Sequence, residues 1–243
     1  MRPLPQKTIG ILGGSSNVAT AEYYRLLNAI ANRRLGGWDI AETLIAGQNF
    51  GDVEAWVRAG DWDALRDRLR VKMQGLIAGG ADFILCVSNT LHRVVPALAA
   101  EIGAPFLHIA HPTGAAMAAR GVRRAALFGT APTMSGAHII DYHRAHFGIE
   151  AIAPNSDEQV EIDRIIFDEL CKGRILPESK RVYLDIADRM RRDEGCDALI
   201  LGCTEIFLLI DQPDRPDLPM FDTAALHCEA AVAIALGEAE LPS

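Results

Sequence analysis

A chain of 243 residues, 49% hydrophobic and 23% charged, is long enough to bury a sizeable core, either as one α/β domain or as two domains of about 115 residues. The net charge of −8 and the lack of a lysine and arginine stripe argue against a nucleic-acid surface. No apolar run approaches the roughly 20 residues that span a bilayer, so the sequence excludes a membrane-inserted protein and favours a small-molecule ligand.

Strand-like segments alternate with helical patterns along the whole chain. Helical periodicity is clearest at 19–34, 61–78, 157–171 and 179–193, with N-caps predicted at Asp61, Asp157 and Ser179. This alternation is typical of a parallel sheet covered on both faces. The predicted strands are 8–13, 42–47, 83–87 and 105–108, then 124–129, 150–153, 198–202 and 219–222.

Two stretches of the chain resemble each other at a spacing of 115 residues. Segment 80–90, GADFILCVSNT, matches segment 195–205, GCDALILGCTE. Two further matches keep nearly this spacing, and three matches in order indicate a duplication. These are residues 12–13 with 128–129 and 105–108 with 219–222. We therefore predict two pseudo-symmetric parallel-sheet α/β halves with the active site in the cleft between them. The expected segments are an N-terminal half at 1–112, a C-terminal half at 113–220 and a C-terminal helix at 221–243 that returns to the first half.

The ends of the predicted strands select the candidate binding loops. Ligands of open parallel sheets bind at the carboxyl ends of the strands, where loops and helix N-termini present free N–H groups. Four such loops are rich in small hydroxyl and amide side chains, which suits a small anionic molecule. They are residues 13–17, 88–90, 129–133 and 203–205.

Cys203 follows an apolar strand, where a helix N-terminus and hydroxyl donors are expected to lower the thiol pKa from about 8.5. Alone, a cysteine in this position is more often an inert buried residue. The duplication places Ser88 at the equivalent position in the first half. Two proton-bearing groups related in this way would flank one carbon from opposite faces, which is the geometry that inverts a stereocentre.

His92 and Glu205 lie close in sequence to Ser88 and Cys203, and each could orient or titrate its neighbour. A capping or helix-surface histidine and a first-turn carboxylate are equally good interpretations of these two residues.

The remaining thiols and imidazoles show no pattern that predicts a metal site. The five cysteines are odd in number and lack a short paired spacing, so we interpret them as reduced thiols rather than disulfides or zinc ligands. Four of them are interpreted as structural, and five histidines show no consistent ligand spacing. The cysteines are Cys86, Cys171, Cys196 and Cys228, and the histidines are His108, His111, His138, His143 and His146. The N-terminal residues lack the apolar core of a signal peptide, so we predict a cytoplasmic protein.

Five motifs distributed over nearly the whole chain resemble the aspartate/glutamate racemase family. They are KTIGILGG at 7–14, TAEYYR at 20–25, SNTLH at 88–92, DELC at 168–171 and LGCTEI at 201–206. The resemblance implies an amino-acid racemase that uses no cofactor, pyridoxal phosphate included, and assembles as a homodimer. It also implies two catalytic cysteines, one before an asparagine-threonine pair and one before a threonine. The second is Cys203, and the first falls on Ser88, as in a branch of the family that carries a hydroxyl residue there.

The family's substrate contacts correspond to positions in five segments of this chain. Segment 46–50 occupies a region that governs specificity in the family, and it contains no arginine. The implied binding residues are Ser15, Asn49, Asn89, Thr90, Thr130, Thr133 and Thr204.

The function predicted from these residues is racemisation of an amino acid, of the acidic aspartate or glutamate type, with Cys203 and Ser88 exchanging protons at the α-carbon. Two other functions use the same residues. A decarboxylase of substituted malonates needs only one proton donor, and a catalytically idle protein would keep only the carboxylate-binding site.

Overall fold

The computed structural model describes residues 5–242 and arranges eight strands in two four-stranded sheets, each with every neighbouring pair parallel. The first sheet has the order β2-β1-β3-β4 and comprises β1 Ile9–Leu12, β2 Thr43–Ala46, β3 Phe83–Cys86 and β4 Phe106–Leu107. The second has the order β6-β5-β7-β8 and comprises β5 Arg124–Phe128, β6 Glu150–Ile152, β7 Ala198–Leu201 and β8 Met220–Asp222. The predicted α/β class is confirmed, and each predicted strand is observed with ends shifted by at most one residue.

Helices connect the strands in both halves of the chain. The first five are α1 Asn17–Leu35, α2 Phe50–Ala59, α3 Trp62–Ala78, α4 Val95–Ile102 and α5 Ala110–Ala119. The others are α6 Ala131–Ser135, α7 Ala137–Phe147, α8 Ser156–Asp168, α9 Pro177–Asp193 and α10 Thr223–Ala235. Short 3₁₀ turns lie at Thr90–Arg93, Leu170–Lys172, Ile206–Leu208 and Gln212–Asp214. Within residues 5–242, no helix combines the length and apolar character needed to cross a bilayer.

One predicted N-cap is confirmed and a second is wrong. The Asp61 carboxylate accepts a hydrogen bond from the backbone N–H of Ala64 at 3.0 Å and so caps α3. Helix α8 is capped by Asn155, not by Asp157, because the Asn155 side chain accepts from the N–H groups of Asp157 and Glu158. The Glu158 carboxylate accepts from the Asn155 N–H in return, which completes a capping box.

The third predicted N-cap, Ser179, is also wrong. Helix α9 begins at Pro177, which suits the first turn because proline has no N–H to leave unpaired. Ser179 therefore lies inside the helix, where its hydroxyl donates to the Glu169 carboxylate at 2.5 Å. Its role is a buried contact between α9 and the chain that follows α8.

The two sheets repeat each other in topology and register. Strand β1 pairs with β3 through Leu12 opposite Cys86, and β5 pairs with β7 through Phe128 opposite Leu201. These pairs are related by the spacing of 115 to 116 residues found in the sequence. At the opposite end, Asp82 of the first sheet and Asp197 of the second each accept a backbone N–H from the start of the neighbouring strand. The duplication therefore extends to individual hydrogen bonds.

The chain groups into two compact units, one formed by Met1–Ile109 with His227–Ser243 and the other by Ala110–Leu226. Each contains one sheet and a core of buried aliphatic residues on it. The predicted C-terminal segment began at residue 221, whereas residues 220–222 form β8 of the second sheet and the grouping changes at His227, within α10.

Two fully buried histidines make the free energy of unfolding depend on pH. His227 lies between the Tyr23 hydroxyl, 3.1 Å from Nδ1, and the Leu107 carbonyl, 3.1 Å from Nε2. Neither ring nitrogen of His143 has a hydrogen-bond partner among the described residues. Burial lowers the pKa of both imidazoles from 6.5 to about 4, so both rings are neutral in the folded chain at neutral pH.

We expect the free energy of unfolding to fall as the pH drops from about 7 to about 5. The unfolded chain takes up protons below its histidine pKa of 6.5, while the folded histidines stay neutral until about 4. Each histidine then removes about 2 kcal/mol over this range. Urea unfolding of His143→Phe should show a smaller loss than unfolding of the wild-type protein over the same pH range. An unchanged pH slope in His143→Phe would contradict this assignment.

Candidate functional site

Ser88 and Cys203 occupy equivalent positions two residues beyond the ends of β3 and β7. In the first unit the Val87 N–H donates to the Leu12 carbonyl at 3.1 Å, and in the second the Gly202 N–H donates to the Phe128 carbonyl at 2.6 Å. Each bond continues its sheet by one residue and fixes the backbone directly before the hydroxyl or the thiol. Both side chains are small and mostly buried, with exposures of 8% for Ser88 and 7% for Cys203. The sequence repeat is thus matched by a repeat in local geometry.

The Ser88 hydroxyl is held by the start of the following 3₁₀ turn. Its Oγ accepts a hydrogen bond from the Leu91 N–H at 3.3 Å. The Ser88 carbonyl accepts from Nδ1 of His92 at 2.6 Å, and Nε2 of His92 accepts from the Ile109 N–H at 3.1 Å. These contacts define a neutral imidazole with its proton on Nδ1. His92 is buried, so it is not a helix-surface residue, and it orients the Ser88 loop through the backbone.

Glu205 places a carboxylate beside the Cys203 thiol. This carboxylate is almost completely buried, with 1% of the residue exposed. Its Oε2 accepts hydrogen bonds from Cys203 Sγ at 3.1 Å and from the Thr204 hydroxyl at 3.0 Å. Its Oε1 accepts from the Cys171 thiol at 3.5 Å. Three donor side chains therefore converge on one carboxylate, as a buried charge requires.

The pKa of the Cys203 thiol is raised well above its usual range, first by burial and then by the negative charge of Glu205. A backbone hydrogen bond from Glu205 to the sulfur acts in the opposite direction. The prediction of a thiol pKa lowered by a helix N-terminus is wrong for this structure. Only the three-residue turn Ile206–Leu208 follows β7, and it brings a carboxylate to the sulfur.

The Cys203 and Glu205 pair can exchange a proton across one short contact. As a thiol, Cys203 is a proton donor. It becomes a base when its proton passes to Glu205 Oε2, which already lies 3.1 Å from the sulfur. The geometry therefore permits proton exchange between Sγ and Oε2.

Ser15 lies in the turn between β1 and α1, packed against the loop that follows β2. Gly14 has φ of +89°, and a Cβ there would overlap the backbone N and O of Gln48, so this close approach needs a glycine. Among the described residues, the Ser15 hydroxyl and both polar atoms of the Gln48 side chain are buried without a hydrogen-bond partner. A polar ligand could satisfy such groups. Gln48 was missed from the sequence, where nothing distinguished it from Asn49.

The other amide and hydroxyl residues predicted in the first half differ in their surroundings. Asn89 and Thr90 are buried at the start of the 3₁₀ turn after Ser88, where the Asn89 carbonyl accepts from the His92 N–H at 3.2 Å. Asn49 is exposed at the N-cap position of α2. Asn89 and Thr90 are therefore built into the loop that carries Ser88, whereas Asn49 lies at the surface.

In the second unit, Thr130 and Thr133 form one buried pair after β5. Their hydroxyl oxygens lie 3.1 Å apart, and the Thr133 N–H donates to the Thr130 carbonyl at 2.9 Å. The Thr204 hydroxyl, by contrast, donates to Glu205. Thr204 thus helps to hold the carboxylate that contacts Cys203.

The side chains of the described residues form no group of three or more histidine, cysteine, aspartate or glutamate residues suited to a metal ion. All five cysteines are free thiols.

The fold and these strand-end residues define a duplicated α/β protein with a thiol and a hydroxyl at equivalent positions. The sequence model of the Asp/Glu/hydantoin racemase family matches residues 11–231. This chain belongs to that family.

Solved structures show the same likeness. A Yersinia pestis protein assigned to the Asp/Glu racemases is 33% identical with a TM-score of 0.86, over 95% of this chain and 99% of that one. An aspartate racemase homologue from Pyrococcus horikoshii OT3 is 30% identical with a TM-score of 0.81, over 94% of this chain and 99% of that one. Picrophilus torridus aspartate racemase, at 20% identity and a TM-score of 0.71 over 95% and 94% of the two chains, shares the fold. The family and these neighbours support amino-acid racemase function.

Proposed function

We propose that this protein racemises an acidic amino acid without a cofactor, with Cys203 and Ser88 as the two groups that exchange protons at the α-carbon. The observation that carries the proposal is the equivalence of the two positions. Each residue lies two positions beyond a central strand of its sheet, directly after a residue whose N–H donates to the carbonyl at the end of the neighbouring strand. Each also has a small proton-bearing side chain. Inversion needs one such group on each face of the carbon.

Cys203 acts in cooperation with Glu205. In the first step the thiol proton passes to Glu205 Oε2, and the resulting thiolate removes the α-proton of the substrate. The sulfur lone pair forms the new S–H bond, and the C–H electron pair moves toward the substrate carboxylate. Thr204 supports this exchange because its hydroxyl also bonds Oε2 and fixes that oxygen near the sulfur.

Ser88 returns a proton to the opposite face of the carbanion. An alcohol is a weak acid, so its proton leaves only if the oxygen that remains is stabilised. The Leu91 N–H, which already donates to Oγ, provides part of this stabilisation. His92 holds the loop in place through the Ser88 carbonyl. The alkoxide is then reprotonated by solvent, and Glu205 Oε2 releases to solvent the proton that it took from Cys203, which returns both groups to their starting states.

The substrate carboxylates are proposed to be held by hydroxyl, amide and backbone N–H groups. The unpartnered atoms of Ser15 and Gln48, the loop at Asn89 and Thr90, and the Thr130 and Thr133 pair lie at strand carboxyl ends, where such groups gather. The acidic side chain is supported by the Yersinia pestis and Pyrococcus horikoshii relatives. Asn49 belongs to this proposal as a residue at the edge of the site.

The test is chiral chromatography of single enantiomers of a panel of acidic, amide and neutral amino acids after incubation with the protein. Aspartate or glutamate should be interconverted fastest. Failure to interconvert any amino acid would contradict the racemase proposal, and a preference for a neutral side chain would contradict only its acidic specificity.

Decarboxylation of a substituted malonate is the second candidate, and one observation favours it. Burial and the Glu205 charge keep Cys203 protonated, which is the state needed to quench a carbanion by donating one proton. Carbon dioxide release from a substituted malonate, without interconversion of any amino acid, would establish this activity instead.

The proposal also includes a cytoplasmic homodimer. Five free thiols suit a reducing compartment. Light scattering combined with size-exclusion chromatography measures the oligomeric state directly.

A further inference from the structure

Ser15 and Gln48 bring three buried polar atoms to the carboxyl end of the first sheet. Ser15 follows β1 and Gln48 follows β2, and these two strands are paired neighbours. A Cβ on Gly14 would lie 2.8 Å from Gln48 Cγ, so the stem of the Gln48 side chain lies directly beside the turn that carries Ser15. The Ser15 hydroxyl and both polar atoms of the Gln48 amide are buried without a hydrogen-bond partner among residues 5–242.

The other hydroxyl groups of this turn form hydrogen bonds within the fold. The Thr20 hydroxyl donates to the Ser16 carbonyl at 2.7 Å and accepts from the Gly14 N–H at 2.8 Å. The Ser16 hydroxyl accepts a backbone N–H of α1 at 3.3 Å and so caps this helix. Ser15 and Gln48 therefore differ from the groups around them, and a ligand can complete their hydrogen bonds.

The Gln48 amide requires a ligand that both accepts and donates hydrogen bonds. Whichever way the amide is turned, it presents one carbonyl oxygen and one NH₂ group, and a serine hydroxyl also combines a donor with acceptor lone pairs. Neither loop, at residues 13–17 or 46–50, contains a charged side chain. The ionised carboxylates of an acidic amino acid only accept hydrogen bonds. The α-ammonium group is therefore the only donor that such a substrate offers to the Gln48 carbonyl oxygen.

We propose that Ser15 and Gln48 form the subsite for the α-ammonium group of the substrate, with Gln48 as a specificity-determining residue. This inference rests on the proposed function, since it concerns recognition of the same substrate. Gln48 Oε1 and the Ser15 oxygen accept N–H groups of the ammonium, while Gln48 Nε2 and the Ser15 O–H donate to the adjacent carboxylate.

A subsite of this kind selects amino acids over diacids of the same length that lack the ammonium group. Such a diacid brings only acceptors, so it would leave Gln48 Oε1 buried without a donor. A substituted malonate without an amino group is disfavoured for the same reason. The subsite therefore favours the racemase over the decarboxylase among the two candidate activities.

The test is calorimetric titration of the protein with two pairs of ligands, DL-aspartate with succinate and DL-glutamate with glutarate. The members of each pair differ only in the ammonium group, and turnover does not change the composition of a racemic ligand. The wild type should bind the amino acid more tightly than the diacid by about 10- to 100-fold, the range for one hydrogen bond to a charged group.

Three variants assign this preference to Gln48. Gln48→Met keeps the length of the side chain and removes both polar atoms, so the preference for the amino acid should fall by about 10-fold or more. Gln48→Glu keeps an acceptor and loses the donor, so it should retain the preference and bind the diacid more weakly. Gln74→Met makes the same chemical change at an exposed position on α3 of the same unit and should keep the wild-type preference.

The inference would be overturned by a wild type that binds the amino acid no more tightly than the diacid. It would also be overturned by an unchanged preference in Gln48→Met, by loss of the preference in Gln48→Glu, or by an equal loss in Gln74→Met. The proposed function fails by a separate result. A wild type that prefers the amino acid in binding but interconverts no amino acid would uphold the subsite and contradict racemisation.

Discussion

Replacement of Cys203 by alanine is expected to lower the rate of amino-acid interconversion by about 10² to 10⁴-fold, the usual contribution of a general acid or base. The substitution removes the only group proposed to take a proton from the α-carbon in the first step. It also leaves Glu205 without one of its three side-chain donors. Chiral chromatography of the products measures the loss.

The matched control for this prediction is Cys196→Ala. Cys196 is a buried thiol of the same unit, packed in the hydrophobic core, and burial raises its pKa to about 11. The same atoms are removed, so the two variants share the cost of a small cavity. Interconversion at the wild-type rate by Cys203→Ala would contradict the mechanism, and an equal loss in both variants would attribute the effect to packing.

Replacement of Ser88 by alanine is expected to separate proton exchange from inversion. Racemisation should fall by about 10² to 10⁴-fold because the second face of the carbanion loses its proton donor. Cys203 can still remove and return the proton of one enantiomer. Exchange of that α-proton with solvent deuterium should therefore appear in this variant with retention of configuration, because the carbanion can be reprotonated only from the Cys203 side, and mass spectrometry of the separated enantiomers measures it.

Ser88→Cys is the companion variant, because it places a thiol at both equivalent positions. A thiol is a far stronger acid than an alcohol, with a pKa of about 8.5 in model peptides. We expect this variant to racemise at least as fast as the wild type. Undiminished racemisation by Ser88→Ala would instead show that another group or a water molecule acts at that face.

The proposed mechanism uses a thiol on one face of the carbon and a hydroxyl on the other, so the two directions of the reaction are chemically different. The two enantiomers have equal free energies, however, so kcat/KM must be the same in both directions. The asymmetry of the site can then appear only as compensating differences in kcat and KM. When return of the proton from Ser88 limits the rate, kcat is lower for the enantiomer from which Cys203 removes the proton. Only that direction uses Ser88 as the acid.

The two sheets could be predicted from the sequence because their signals are local. Each strand is a short apolar run, and the repeat relates segment 80–90 to segment 195–205 without any knowledge of contacts. Parallel sheets place their ligands at strand carboxyl ends, so the repeat also led to the prediction of Ser88 and Cys203 as site residues. The caps of α8 and α9 were predicted wrongly because several residues near each start could serve as the cap.

The electrostatics of the thiol could not be predicted from the sequence. The pKa of Cys203 depends on burial and on the rotamer that brings the Glu205 carboxylate to the sulfur, and neither is encoded in local pattern. Cys171 gave no signal because its contact with Glu205 spans 34 residues. Gln48 became visible only through the close approach of Gly14 to its backbone.

The central claim, that two different groups exchange protons at one α-carbon, is tested most directly by early turnover of a single enantiomer in deuterated water. The account predicts deuterium at Cα of the product enantiomer, delivered from the solvent-exchanged Ser88 hydroxyl, and protium at Cα of the unreacted substrate. A product that retains the proton of the substrate, as transfer by a single group would give, would contradict it.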